Sequence, residues 1–95
     1  MNLRKLCEAL LSADPDIVEI VQFGSSVYAP ELAKDIDLVV TTRVKKDEEA
    51  YWDALADWHV DLVVREPGQE MGRDLALSVY VWGRTLYGND ETLKE

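Results

Sequence analysis

The sequence is short of several things at once. Cys7 is its only cysteine, so no internal disulfide can form, and a reducing, cytoplasmic setting is expected. No apolar run approaches the roughly 20 residues that a membrane helix requires. The opening stretch MNLRKLCEALL carries a basic pair, but Glu8 interrupts its periodic apolar residues, so it reads as a helix and not as a signal peptide. Proline and glycine number only 3 and 5, and no linker or repeat divides the chain. A single domain spanning 1–95, with one modest core, is therefore expected. Bases are scarce as well: 10 Lys and Arg face 19 Asp and Glu, a formal net charge of −9. That balance argues against direct nucleic-acid binding, which relies on basic side chains at phosphates.

What is present is a regular alternation of patterns. Leu3, Leu6, Cys7 and Leu10 make one apolar stripe, which predicts a helix over 3–11. Asp14-Pro15-Asp16 ends it. IVEIVQF (17–23) is rich in β-branched residues and reads as a strand, followed at once by Gly24-Ser25-Ser26. A short helix or turn is expected in YAPELA, then a second strand in DIDLVV (35–40). Tyr51, Ala54, Leu55 and Trp58 predict a helix with a buried stripe, and HVDLVV (59–64) a third strand. Met71, Leu75, Val79 and Trp82 predict a last helix from about residue 69 with its apolar side on a core. GRTLYG (83–88) can add an edge strand, and residues 89–95 are expected to fray. The fold class is α/β (α+β): a small mixed β-sheet flanked by helices.

Two strands echo each other, DIDLVV and HVDLVV. Alternate residues of a strand share a face, so Asp35 and Asp37 point one way and Ile36 the other. If the echoing strands are neighbours, Asp61 joins the pair at about 5 Å. Two unit charges at that distance repel by roughly 3 kcal/mol at an effective dielectric near 20. A domain this small has little stability to spare, so the cluster calls for a counter-charge. Hard carboxylate oxygens suit Mg²⁺, and two such ions can activate a nucleophile and stabilise a leaving group in phosphoryl transfer. Gly24, Ser25 and Ser26 supply the complementary half: close backbone approach, hydroxyls and N–H groups for a phosphate.

Phe23-Gly24-Ser25, Asp35-Ile36-Asp37 and Asp61 together resemble the signature of the DNA polymerase beta-like nucleotidyltransferase superfamily. The order of elements is similar to its minimal members, which keep only a palm-like domain, and the likeness extends to Gly83-x-x-Leu86-Tyr87. The resemblance implies roles. Gly24, Ser25 and Ser26 would hold a nucleoside triphosphate, ATP by analogy. Asp35, Asp37 and Asp61 would be the catalytic metal ligands of a two-Mg²⁺ site. The reaction would move a nucleoside monophosphate to a hydroxyl and release pyrophosphate. Many minimal members are antitoxins paired with a helical HEPN-type partner, some of which are adenylylated on tyrosine. Such a partner, or self-association, is expected to complete the site. The alternative is a weakly catalytic or non-catalytic antitoxin that inhibits a partner ribonuclease by contact. Two departures stand out: Ser26-Val27-Tyr28 replaces a common Ala-Arg-Gly, and Lys34 stands where many relatives have serine.

The remaining candidates have plainer readings. His59 is expected to be a partly buried structural histidine. Lys45-Lys46 and Asp47-Glu48-Glu49 read as solvated charge. Trp52, Trp58 and Trp82 are expected in the core or at a partner interface. Tyr28 could reach the nucleotide, and Arg43 and Arg65 a phosphate.

Overall fold

In the computed structural model, which describes residues 3–32, 34–47, 49–69 and 71–88, strand β1 (Ile17–Phe23) is the hub. It pairs antiparallel with β2 (Ile36–Thr42) on one side and with β4 (Arg84–Tyr87) on the other. β3 (Val60–Arg65) adds to β2 in parallel, giving a mixed four-stranded sheet in the order β3-β2-β1-β4. Helices α1 (Leu3–Ala13), α2 (Ser25–Tyr28), α3 (Glu49–Trp52) and α4 (Arg73–Trp82) connect and cover it. The fold is α+β with a mixed sheet, as the patterns predict. Among the described residues no helix is long and apolar enough to cross a membrane.

The core lies on one face of the sheet. Leu6, Cys7 and Leu10 of α1 meet Ile17 and Ile20 of β1, Ile36, Leu38 and Val40 of β2, and Tyr51 of α3. The opposite face buries Val21 and Val39, and α4 packs against β1 there. Gly83 makes the exit from α4 possible: its N–H bonds Val79 O at 2.8 Å, and a Cβ there would lie 2.1 Å from that oxygen.

At one end of the β1–β2 ladder sits Asp14, fully buried. Lys46 Nζ donates to its Oδ1 at 2.5 Å, Tyr51 Oη to its Oδ2 at 2.5 Å, and the Asp16 N–H to its Oδ1 at 3.1 Å. Burial alone would raise this carboxyl, but Lys46, Tyr51, Thr42 and the Asp16 N–H outweigh it and hold the group below its ordinary 3.8. Burial and Asp14 in turn push the Tyr51 hydroxyl well above its usual range. Lys46, which reads from sequence as solvated charge, is instead a clamp that also reaches Asp16 Oδ2 at 2.9 Å.

The helices depart most from the patterns. α2 begins directly at Ser25, ahead of YAPELA, because Pro30 excludes a longer continuation. α3 is one turn long: beyond Trp52 the chain makes i−3 bonds, Ala56 N–H to Asp53 O at 3.4 Å and Trp58 N–H to Leu55 O at 2.9 Å. Asp53 and Asp57 disfavour a helix whose C-terminal end they would occupy. The stripe still works, with Tyr51 buried and Leu55 and Trp58 packed on the core. α4 starts at Arg73, later than expected, because a turn over Pro67-Gly68 is closed by Gln69 N–H to Glu66 O at 3.1 Å. None of its residues is fully buried, so the expected core-facing stripe is only partly covered. The expectation for residues 89–95 lies outside the described residues.

Candidate active site

The echo of the two strands is a real adjacency. β2 and β3 run parallel, with Ile36 opposite Val60 and Asp37 opposite Asp61. Side chains in such register share a face, so Asp37 and Asp61 lie side by side on the face opposite the core, where Ile36 is buried. Asp35 sits one residue ahead of β2, at a bend, and is exposed, as is Asp61; Asp37 is half-buried. Burial, then the charge of Asp61, then that of Asp35 hold the Asp37 carboxyl above its ordinary 3.8.

The glycine-serine turn closes on Asp37 from the β1 side, where Phe23 is its register partner. Gly24 has φ +70, and a Cβ there would lie 2.6 Å from Asp37 Oδ2. Only glycine supplies both that backbone and that space. Ser26 is buried, and its hydroxyl is heavily used. It donates to Phe23 O at 3.1 Å and accepts from Gln22 Nε2 at 3.2 Å and from the Asp37 N–H at 3.4 Å. Ser26 thus ties the end of β1 to the start of β2, which leaves Ser25, partly exposed at the first position of α2, as the hydroxyl more open to a ligand. The composition of the stretch shows both serines but not which one the fold consumes; the buried Gln22 near the end of β1 is the partner that decides it.

Other sequence candidates lie elsewhere. Arg43, just past the end of β2, and Arg65, at the end of β3, stand about 20 Å and about 13 Å along the strands from Asp37 and Asp61, and Arg65 Nη2 donates to Gln69 O at 2.6 Å. His59 is exposed and not partly buried, and its contribution is a main-chain carbonyl that accepts the Ile36 N–H at 2.8 Å. The Tyr28 ring packs on Trp82, with centroids 4.6 Å apart at 46°. Asp35, Lys34, Ser26 and His59 line a cavity of about 650 Å³ that opens on the core side of the sheet.

No protein-family model and no curated protein matches the chain. Solved structures do. A mutant of the MntA–HpeT toxin–antitoxin pair superposes with a TM-score of 0.72 at 24% identity, over 93% of this chain and 74% of that one. The fold is that of a minimal nucleotidyltransferase. A toxin–antitoxin structure with AMP-PNP gives a TM-score of 0.71 at 26% identity, over 93% of this chain and 74% of that one. The MNT antitoxin complex with a tri-AMPylated HEPN toxin from Shewanella oneidensis gives 0.64 at 26%, over 92% of this chain and 70% of that one. The minimal nucleotidyltransferase fold therefore accounts for the order of elements.

Proposed function

We propose that the protein is a metal-dependent nucleotidyltransferase that moves AMP from ATP to a hydroxyl, on a HEPN-type partner, and so acts as an antitoxin in the cytoplasm. The observation that carries this reading is the register of Asp37 against Asp61, with Gly24 packed on Asp37 and, among the described residues, the acidic side chains of Asp61 and Asp35 as the charges that act on it. A half-buried carboxylate raised first by burial and then by its acidic neighbours Asp61 and Asp35 is a group in want of a cation. The oxygen-only donor set suits Mg²⁺.

Among the described residues no group of three His, Cys, Asp or Glu side chains is close enough to hold a metal ion. Asp37 and Asp61 are adjacent, but Asp35 at its exposed bend has to turn toward them to complete the set. With that rotation Asp35, Asp37 and Asp61 would hold the metal. The ions, when bound, would neutralise phosphate charge and lower the acidity barrier of the attacking hydroxyl. The chain's own part is positional. Strands β2 and β3 fix the carboxylates, Ser26 locks the turn, and Ser25 with the Gly24 backbone receives the triphosphate.

The test is calorimetry of ATP with and without Mg²⁺, on the wild type and on Asp35→Asn/Asp37→Asn. Binding that needs both the metal and the two aspartates is the expected outcome. Binding unchanged in the variant overturns the site. One observation favours a second reading, inhibition of the partner by contact alone: Leu77, Tyr80, Val81 and Trp82 of α4 are all exposed. Full antitoxin action by Asp35→Asn/Asp37→Asn would select it.

A further inference from the structure

α4 carries apolar residues on two sides, and the sheet uses only one of them. Leu77, Tyr80 and Val81 follow the i, i+3, i+4 spacing of a single helix face, and Tyr80 is 88% exposed. A helix with an apolar stripe on the solvent side is one that awaits a neighbour. At its C-terminal end the stripe meets Trp82, which packs on Tyr28 of α2. α2 begins immediately after Gly24, so the exposed surface is continuous with the turn that touches Asp37.

From this we infer that the outer face of α4, extended by the Trp82–Tyr28 pair, docks a separate protein that presents an apolar helix flanked by lysine or arginine. This deepens the reading proposed above, on which it rests for the partner's role as acceptor. Charge chooses the occupant. The chain carries −9, and the Gly24 turn at the Tyr28 end of the surface touches Asp37, whose charged neighbours are Asp61 and Asp35. A second copy would bring −9 against −9, whereas a basic helix gains from the same field. Packing of its leucines between Leu77, Tyr80 and Val81 is ordinary helix-on-helix contact. A partner seated there lies beside the glycine-serine turn, which brings one of its hydroxyls within reach of the proposed site.

The probe is a synthetic amphipathic helix of leucine and lysine, about 20 residues long, with a leucine–glutamate helix as its mirror in charge. The lysine helix is expected to bind the wild type and perturb the amide resonances of residues 77–82, and the glutamate helix to leave them unmoved. Leu77→Glu/Tyr80→Glu changes exposed positions and adds negative charge. It is expected to weaken the lysine helix at least tenfold, while retaining wild-type circular dichroism and wild-type Mg²⁺–ATP calorimetry. If charge alone governed binding, the double variant would bind as well or better, and that result overturns the inference. So does failure of the lysine helix to bind. Sedimentation of the wild type is expected to show a monomer; a dimer that the double variant dissolves would assign the surface to a second copy and overturn it too. The nucleotide measurement is independent of all these outcomes, so the two readings fail separately.

Discussion

The two ends of the β1–β2 ladder treat the same residue type in opposite ways. At the Ile17–Thr42 end, Asp14 is fully buried and receives an ammonium, a phenol and a backbone N–H. At the Phe23–Asp37 end, Asp37 is half-buried and faces two further carboxylates. One carboxyl is held below its ordinary value and the other above it. The first is a finished structural element, closed by Lys46 across more than thirty residues of chain. The second faces only further acids among the described residues, and under the function proposed above a bound cation would complete it. Burial alone therefore does not mark a functional acid, since the more buried aspartate is the structural one. What distinguishes Asp37 is that, among the described residues, the charges acting on it are acidic.

The largest break in this contrast is at the satisfied end. Asp14→Asn keeps the volume but leaves Lys46 with only Asp16 as an ion partner and turns an amide on the Tyr51 hydroxyl. Removing one member of a buried ion pair costs roughly 3–5 kcal/mol, and Lys46 is partly solvated, so a loss of about 3 kcal/mol in a urea titration is expected. A loss below about 1 kcal/mol would mean that Asp14 is not the anchor described here. Nucleotide binding at the far end of the ladder is expected to survive in the folded fraction.

Next in size is the hinge between turn and acid. Gly24→Ala places a Cβ 2.6 Å from Asp37 Oδ2 at φ +70. Backbone strain of this kind is worth about 1–3 kcal/mol. The displaced Asp37 side chain is expected to cost Mg²⁺-dependent ATP binding as well as stability. Asp14→Asn loses stability only, so the pair of variants separates the two ends by readout.

How much of this could be read beforehand follows the same division. The strands were legible because alternation and β-branching report them directly: IVEIVQF is β1 residue for residue, and the repeated Asp-Leu-Val-Val foretold the pairing of Asp37 with Asp61. Short helices were not, since one turn of α3 and the late start of α4 depend on which carbonyls the loops find. Gly24 and Ser25 stand at the junction of β1 and α2, as the sequence pattern of strand, glycine and cap residue suggests. The division of labour between Ser25 and Ser26 was invisible, because it is set by Gln22 across the turn. Asp14 does end α1 as read, but its ion pair went unseen and Lys46 was misread as solvated charge, because their contact spans elements that sequence pattern does not join. The stripe read as core, Met71, Leu75, Val79 and Trp82, is only partly covered, and the second apolar side at Leu77, Tyr80 and Val81 went unread, because apolar spacing identifies a helix face but not what it faces.

The smallest effect is the sharpest test of the comparison, because the two aspartates should respond to pH with opposite sign. Asp14 has a lowered native pKa, so the unfolded chain binds its proton first. Its stabilisation is complete above 3.8 and disappears as pH falls through the lower native value. Asp37 has a raised native pKa, so the folded chain binds its proton first. Its ionised form therefore destabilises the fold at neutral pH, and that penalty is relieved as pH falls through the raised value toward 3.8. Asp37→Asn removes the penalty outright. In metal-free buffer at neutral pH it is expected to gain about 1 kcal/mol or less, since repulsion at a half-solvated site is screened. The gain should vanish on acidification, in a window above 3.8, while the deficit of Asp14→Asn persists through that window and closes only below it. Adding Mg²⁺ at neutral pH should reverse the order of wild type and Asp37→Asn, because only the wild type has a cation to gain. Denaturant titrations of the three proteins across that pH range measure all of this. A wild type that is already more stable than Asp37→Asn without metal would show that Asp37, like Asp14, had found its partner within the chain.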